Sequence, residues 1–356
     1  MSINISPITP TSGPVATREI RLGTAVHRRP VVLAPMSGIT DLPFRRLALR
    51  FGCDLVVTEM VASDALAVGD VDATVRLAGE GVATHVVQIA GREAEPTARA
   101  AAQAVDVGAD VIDINMGCPA KRVVHGWSGA ALMKDLDHAV GLIRAVRAAV
   151  SVPVTVKMRL GWDRGSMNAP ELARRAEAEG VALVTVHGRT RDQFYEGSAD
   201  WSAVEAVRAA ISIPLVVNGD VASLEGAEAA LAASGGDAVM IGRGACGRPW
   251  LPGQVSAGLA GRAVLPAPEG ADLADLVAEH YEAMLSHHGR AVGLKAARKH
   301  LDWYLEAAVT APGRAVSKGR ASSHPLRARL LGSTDPKEVL GAIRTIFTSD
   351  LERRAA

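Results

Sequence analysis

Reactive and polar side chains recur at the ends of short apolar stretches, and Cys118 is the most reactive of them. It follows the apolar stretch at 110–115 and stands in the sequence Asn-Met-Gly-Cys-Pro. A thiol with an ordinary pKa of about 8.5 is mostly protonated at neutral pH, which suits a proton donor. A thiolate nucleophile and a small buried apolar group are the alternatives. The other two cysteines, Cys53 and Cys246, are more typical of packed core residues.

Two further polar residues lie inside apolar stretches, where an unpaired polar group is costly. They are Lys157 in PVTVKMR and Gln88 in HVVQIA. Lys157 is suited to donate to an electron-rich carbonyl or ring nitrogen, such as the N1 and O2 edge of a flavin, and Gln88 to a pyrimidine-like edge. A rim lysine paired with a carboxylate and a satisfied core amide are the alternatives.

Glycine-rich turns follow the last two apolar stretches, at Asn-Gly-Asp (218–220) and Gly-Arg-Gly (242–244). Glycine lets the backbone approach a phosphate closely, and Arg243 adds a charge-assisted hydrogen bond. The pattern predicts a phosphate site, with ordinary glycine turns as the alternative. Asn115 is suited to a base edge or to capping a loop, and His187 to a phosphate, a substrate or a structural hydrogen bond.

The elements that must position these residues repeat along the chain. Eight β-branched stretches bounded by turn residues predict strands at 31–35, 54–59, 85–90, 110–115, 153–159, 181–187, 213–218 and 237–241. Alanine-rich stretches between them predict helices. Eight βα units in about 250 residues favour a TIM (β/α)8 barrel, whose active site forms at the carboxyl ends of the strands. No Gly-x-Gly-x-x-Gly follows the first strand, which disfavours a Rossmann fold.

From about residue 251 the alternation of strand and helix patterns stops. A linker at 252–270 precedes helical patterns at 271–286, 294–306 and 336–349, which predict a small all-helical domain. Residues 1–18 have the composition of a flexible Pro/Ser/Thr-rich tail rather than of a signal peptide. We therefore divide the chain into the tail, a barrel domain at 19–252 and a helical domain at 253–356.

The formal charge of +1 conceals an uneven distribution. The segment 290–330 contains nine Lys and Arg residues and two acids, so it carries +7 and leaves −6 for the rest of the chain. A solvated helical face and a docking surface for an anionic partner both fit this pattern. The three cysteines form no Cys-x-x-Cys pair, which disfavours a disulfide framework or a zinc site and favours a reducing cytoplasm.

Eight stretches together resemble the bacterial tRNA-dihydrouridine synthases, most of all their B-type branch. They are APMSGITDLPFR (34–45), VVQIAG (86–91), DINMGCPAK (113–121), VTVKMRLGW (154–162), HGRTR (187–191), VVNGDV (216–221), MIGRGACGRPW (240–250) and ARKHLDWYL (297–305). They span most of the chain in order, and GCPAK with its preceding asparagine is highly specific. The next loop, RVVHGWSGAALM, departs from the more basic pattern of relatives at His125 and Trp127.

The resemblance implies an FMN-containing barrel and a tRNA-binding helical domain. The implied FMN contacts are Pro35, Met36 and Ser37 along the ring, Gln88 and Lys157 at its pyrimidine edge, His187 nearby, and Asn218, Gly219, Asp220, Gly242 and Arg243 at the phosphate. The implied substrate contacts are Asn115, Arg189, Arg298 and Lys299, and Cys118 is the implied catalytic acid.

The resemblance also implies the reaction. NADPH reduces FMN, a hydride passes from the flavin to C6 of a D-loop uridine in tRNA, and Cys118 protonates C5 to give 5,6-dihydrouridine. The uridine must leave its stack to enter the barrel mouth. We expect a cytoplasmic monomer with neither a metal nor a membrane partner.

Two other functions compete with this reading. An FMN barrel acting on a free small molecule such as orotate is disfavoured by the basic helical segment. A non-catalytic regulator is disfavoured by the presence of Cys118 and Lys157.

Overall fold

The computed structural model describes residues 19–22, 25–28, 30–308 and 326–354. The predicted tail at 1–18 lies outside the described residues, and so do Arg314, Lys318 and Arg320 of the basic segment.

Two sheets make up the β-structure of the described residues. An antiparallel hairpin consists of β1 (Glu19–Leu22) and β2 (Ala25–Arg28). A parallel sheet follows, with β3 (Val31–Leu33), β4 (Leu55–Val56), β5 (Val61–Ala62), β6 (Val86–Ala90), β7 (Val111–Met116), β8 (Val154–Arg159), β9 (Leu183–His187), β10 (Leu215–Asn218) and β11 (Ala238–Ile241). The order in this sheet is β4-β3-β11-β10-β9-β8-β7-β6-β5.

The parallel sheet closes on itself. A bridge between Val57 and Val86 joins the end of β4 to β6, and β5 continues the pairing along β6. Strands β4 and β5 are therefore two parts of one barrel strand, so nine strands occupy eight positions. The TIM barrel prediction is confirmed, and each of the eight predicted strands overlaps a strand of the barrel.

Helices cover the outside of the barrel. They are α1 (Leu42–Arg50), α2 (Ser63–Ala67), α3 (Val71–Arg76), α4 (Ala94–Asp106), α5 (Lys121–His125), α6 (Leu136–Ala149), α7 (Ala169–Ala178), α8 (Glu205–Ala210), α9 (Leu224–Ser234) and α10 (Leu251–Leu259), with 3-10 turns at Gly129–Lys134, Ser202–Val204 and Arg243–Ala245. Within the described residues, no helix is long and apolar enough to cross a membrane.

Side chains along each strand alternate between two environments, as strand geometry requires. In β7, Ile112 and Ile114 join the apolar layer under the helices, whereas Val111 packs with residues of the barrel interior. Asp113 and Asn115 share the inward face with Val111 and are buried there. The alternation thus places apolar side chains at the amino end of the interior and polar ones toward the carboxyl end.

The region after the barrel is helical, but its helices begin and end at residues other than the predicted ones. It contains α11 (Gly270–Ala308), α12 (Arg327–Gly332) and α13 (Pro336–Arg354). The predicted helices at 271–286 and 294–306 are the two arms of α11, which Gly289 interrupts with a φ of 72°. Part of the predicted linker at 252–270 is helical as α10, since proline is compatible with a first helical turn.

Helix α10 belongs to the barrel by its packing. Leu251 and Val255 join the apolar layer beneath the barrel helices. The helical region forms a separate apolar cluster that includes Tyr281, Leu305 and Ile343. The division of the chain at residues 252 and 253 stays a prediction.

The helical region contacts α1 through polar side chains as well as apolar ones. His288 Nε2 lies 2.8 Å from Asp41 Oδ2, and Arg50 Nη1 lies 2.7 Å from Glu279 Oε1. Burial opposes the charge on Asp41, but the hydrogen bond from His288 and the nearby histidines lower its pKa to about 2. These contacts place α11 beside the loop after β3, at the carboxyl end of the barrel.

The β1–β2 hairpin closes the opposite end of the barrel. Ile20 and Leu22 are buried against interior residues such as Val32 and Val216. We expect Ile20→Ala to lower the free energy of unfolding by about 2–5 kcal/mol, because the cavity it leaves cannot refill. Thermal or urea unfolding measures the change. Val26→Ala on the exposed side of the same hairpin is the control, and an equal effect of both variants would contradict this role for Ile20.

Candidate active site

A cavity of about 660 Å³ opens at the carboxyl ends of the barrel strands. Asn115 and Cys118 line it, and so does every residue predicted to contact FMN. The predicted FMN contacts are Pro35, Met36, Ser37, Gln88, Lys157, His187, Asn218, Gly219, Asp220, Gly242 and Arg243. The fold therefore brings together residues from seven strands or strand ends that are distant in the sequence. Their assignment as FMN and substrate contacts stays a prediction.

A row of hydrogen bonds lies in the barrel interior and reaches this cavity through Gln88 and Asn115. Thr155 Oγ1 donates to Asp113 Oδ1 over 2.6 Å, and Gln88 Nε2 donates to Asp113 Oδ2 over 2.7 Å. Gln88 Oε1 in turn accepts a hydrogen bond of 2.7 Å from Asn115 Nδ2. Strand register explains the row, because Asp113 stands opposite both Gln88 and Thr155. The row fixes the rotamers of four inward-facing side chains.

Asn115 connects this row of hydrogen bonds to the loop that contains Cys118. Its Oδ1 accepts hydrogen bonds from Gly117 N over 3.1 Å and from Cys118 N over 2.9 Å. Gly117 allows the loop to cross β8 closely, since a Cβ there would lie 3.3 Å from the carbonyl carbon of Met158. Asn115 was predicted to contact a base, and the structure also gives it the loop-capping role that the sequence left open.

The Cys118 thiol is held in its protonated form. Burial raises its pKa, while a backbone hydrogen bond and the nearby cations Arg159 and Lys157 partly oppose this effect. Burial also raises the pKa of Cys53 and Cys246 to about 12. Both of those cysteines are buried, whereas Cys118 is partly exposed to the cavity. Of the three thiols, Cys118 alone lines the site.

Lys157 lies on the cavity wall next to Asn115 across the β7–β8 pair. Its Nζ makes no hydrogen bond or ion pair with the described residues, so its donors are available to a ligand. Burial and the charge of Arg159 lower its pKa to about 8, although Asp113 and Cys118 act in the other direction. A partly desolvated ammonium group favours an electron-rich acceptor in the cavity.

The protonation of His187 follows from its neighbours. Its Nδ1 lies 2.8 Å from Asn218 Oδ1, while Asn218 Nδ2 donates to Met240 O. Asn218 thus presents an acceptor to His187, so the proton of the neutral ring is on Nδ1 and Nε2 is an acceptor. Burial, with the charges of Lys157 and Arg159, lowers the pKa of His187 well below its ordinary value. The imidazole is neutral at neutral pH.

Asp220 organises the loops at the glycine-rich side of the cavity. It has a φ of 55°, and its carboxylate accepts hydrogen bonds from Arg189 and from Arg243 Nη2, the latter over 3.0 Å. A carboxylate repels a phosphate, so Asp220 can serve an anion only through its backbone and by orienting Arg243. The Arg243 side chain is about half exposed, which leaves guanidinium donors facing the cavity.

Three residues predicted to contact the substrate do not line the cavity. Arg189 is 1% exposed, and its guanidinium is used by Asp220 and by the backbone carbonyls of Glu196 and Gly197. Arg298 is exposed on α11. Lys299 is half-buried beside the loop after β3, where a Cβ on Gly38 would lie 2.8 Å from its Nζ.

Other residues of the site were missing from the prediction. Asp113 and Thr155 lie on inward positions of predicted strands, and the alternation of β7 and β8 was a signal that could have identified them. Arg159 holds the loops together through Gly117 O, Thr190 O and Phe194 O. Tyr195 lines the cavity with its ring 4.8 Å from the Arg243 guanidinium, and its loop carried no sequence signal.

Residues 32–325 match the family model for dihydrouridine synthase. The chain is 56% identical over 312 residues to a probable tRNA-dihydrouridine synthase of Rhizobium leguminosarum bv. phaseoli, covering 88% of this chain and 93% of the relative. It is 48% identical over 277 residues to tRNA-dihydrouridine synthase B of Xanthomonas axonopodis pv. citri, covering 78% of this chain and 83% of that protein.

Among solved structures, a variant of NCR from Zymomonas mobilis has a TM-score of 0.52 at 18% identity, over 71% of this chain and 93% of that one, which supports the barrel fold alone. The sequence matches carry the family assignment. The chain belongs to the dihydrouridine synthase family, close to its B-type branch.

Proposed function

We propose that this protein is a flavin-dependent tRNA-dihydrouridine synthase that binds FMN, uses NADPH, and reduces the C5–C6 bond of D-loop uridines. The observation that carries the proposal is the placement of a protonated, partly exposed Cys118 thiol at the same cavity as the unpartnered Lys157 ammonium. Family membership supports the reaction class, and the relatives' names support tRNA as the substrate. The enzyme is then an oxidoreductase.

The donor set of the cavity fits FMN. Lys157 Nζ and the second N–H of the Gln88 amide would donate to the N1 and O2 edge of an isoalloxazine ring, since the first N–H of Gln88 is bonded to Asp113. Pro35, Met36 and Ser37 would provide a wall for the ring. At the other side, Gly219 and Gly242 allow close approach of a phosphate, which Arg243 neutralises. When bound and reduced, FMN supplies the hydride that C6 of the uridine receives.

The chain's own residues supply the proton and the geometry. The Cys118 thiol donates its proton to C5 as C6 becomes saturated, so hydride and proton together convert uridine to 5,6-dihydrouridine. The thiolate left behind is stabilised by Lys157 and Arg159, the same cations that oppose the rise in the thiol pKa. Protonation from solvent restores the acid. Asn115 fixes the direction of the thiol through the backbone N–H of Cys118.

The substrate uridine must be extruded, because the reacting groups lie inside the barrel mouth. Arg298 and Lys299 on α11, beside the loop after β3, are the proposed contacts to the tRNA backbone. Arg189 supports these contacts indirectly, since its buried pair with Asp220 holds the loop at 191–199 at the mouth.

Purified protein, FMN and NADPH should form dihydrouridine in tRNA from a strain that lacks this modification, as nucleoside mass spectrometry would show. Free uridine and orotate should not be reduced at a comparable rate. Turnover of orotate with no product in tRNA would favour a small-molecule reductase. A purified protein that neither takes up FMN nor reduces any of these substrates would favour a regulator.

Cys118→Ala should retain FMN but form dihydrouridine about 100 to 10,000 times more slowly, because it lacks the proton donor. The rate is measured in single turnover with pre-reduced enzyme. Cys246→Ala removes a buried thiol near the rim and is the matched control, with near wild-type rate expected. A full rate in Cys118→Ala would refute its role as the acid.

FMN affinity should fall as the pH rises through about 8. The pKa of Lys157 is lowered to about 8, so its ammonium is charged below that pH and neutral above it. Losing a charge-assisted hydrogen bond of about 1.5–3 kcal/mol weakens binding roughly tenfold or more. Flavin fluorescence titrations between pH 7 and 9 measure the slope, and Lys157→Met should bind weakly with no slope. An identical slope in both proteins would assign the pH dependence to another group.

Arg298→Gln should weaken tRNA binding and lower the dependence of log Kd on log salt by about one unit, because one phosphate contact is lost. FMN content should not change. Adding Lys299→Gln should weaken binding further. Lys337→Gln, an exposed lysine outside the basic segment, is the control. An unchanged salt dependence in the Arg298 variant would indicate that the basic segment 290–330 is a solvated helical face.

A further inference from the structure

Rings and cations alternate along one side of the cavity mouth. Lys134 Nζ lies 3.9 Å from the ring centre of Trp162 and 5.9 Å from that of Trp127. The Arg191 guanidinium lies 4.5 Å from the ring centre of Trp162 and 4.8 Å from that of Phe194. These five residues, Trp127, Lys134, Trp162, Arg191 and Phe194, are called the aromatic ledge below.

The aromatic ledge borders the cavity. Trp127 follows helix α5, whose preceding residue Ala120 lines the cavity, and Phe194 precedes the cavity residue Tyr195. Backbone hydrogen bonds from Arg191 N to Gly161 O and from Asp192 N to Trp162 O join the loops after β8 and β9, and Asn168 Nδ2 donates to Met133 O in the segment after β7. The ledge is therefore built from the segments that follow β7, β8 and β9.

Core packing does not account for the ledge. Trp127 is 63% exposed and has a φ of 56°, a conformation that a non-glycine residue adopts at an energetic cost. Among the described residues, ten large hydrophobic side chains are exposed, and the two that are aromatic, Trp127 and Tyr195, both lie at this mouth. Single exposed aliphatic residues are ordinary, but exposed rings gathered at one site indicate a binding surface.

The charge around the ledge favours a polyanion. Lys121 and Arg122 on α5 and Lys134 on the ledge are exposed. Asp163 and Asp192 also lie on these loops, where each accepts a hydrogen bond from a hydroxyl group, that of Ser166 and that of Thr190. Flat rings beside free cations are suited to a nucleotide, whose base stacks while its phosphate pairs with Lys or Arg.

We propose that the aromatic ledge stacks an unpaired tRNA base that neighbours the target uridine. The inference rests on the proposed function and names a further part of the substrate. Extruding the uridine removes a stacking partner from the adjacent base. Trp127 replaces that partner, and Lys121 and Arg122 neutralise the adjoining phosphates. The ledge thereby lowers the cost of presenting the uridine to Cys118, and the reaction depends on which bases flank the target.

Trp127→Leu should raise the KM for tRNA by about tenfold or more, while Trp127→Phe should stay within about threefold of wild type because it keeps a ring. FMN content, thermal stability and the rate of FMN reduction by NADPH should be unchanged in both variants. Val107→Ala is the control, since Val107 is an exposed apolar residue just before β7, at the opposite end of the barrel. A KM in Trp127→Leu equal to that of the control would overturn the proposal.

A second measurement is made on the wild-type protein, and Trp127→Leu serves as its comparison. Transfer RNA with 2-aminopurine in place of a base flanking the target should lose fluorescence on binding to the wild-type protein, and Trp127→Leu should restore part of it. A flanking base that brightens on binding to the wild type, as an unstacked base does, would contradict stacking. These outcomes are distinct from failure of the proposed function, in which the wild type forms no dihydrouridine.

Discussion

The hydrogen-bonded row from Thr155 through Asp113 and Gln88 to Asn115 is the constraint on which the site depends. It lies directly above the apolar amino end of the barrel interior, and its buried polar groups are satisfied by one another. The row ends on the backbone N–H groups of Gly117 and Cys118. The position of the reactive thiol is therefore set by β6 and β8, the strands on either side of β7, and not by its own loop alone.

The barrel interior also sets the protonation states of the residues that line the cavity. Lys157 and Arg159 lie on the inward face of one strand, two residues apart. Burial lowers the pKa of both groups, the charge of Arg159 lowers that of Lys157 further, and both charges lower the pKa of His187. His187 is kept neutral and Cys118 is kept protonated, although the two cations limit how far the thiol pKa rises. Burying two cations so close together is costly, and the charge of Asp113 offsets part of that cost at Lys157.

Much of the barrel and of the candidate site could be predicted from the sequence, because the patterns that indicate them lie within short segments. The β-branched stretches and their spacing gave eight strands, and the position of Cys118, Lys157 and His187 at strand ends placed them at one rim of a barrel. The helix α10 was not foreseen, since Pro252 and Gly253 are typical of a linker unless a neighbouring surface buries the apolar side chains around them. Asp113 and Thr155 could have been found by following the alternation two residues further down each strand.

What the sequence by itself determined was the fold class, the family and the set of reactive side chains, since these follow from periodicity and from motifs within short segments. Only the tertiary structure decided which of those side chains face the cavity and which form ion pairs or hydrogen bonds with one another. Arg189 and Asp220 are 31 residues apart and neutralise one another, so neither is a free charge. Trp127, Trp162 and Phe194 become one surface only when three loops meet at the rim, because hydrogen-bond partners and exposed faces depend on neighbours that are remote in the chain.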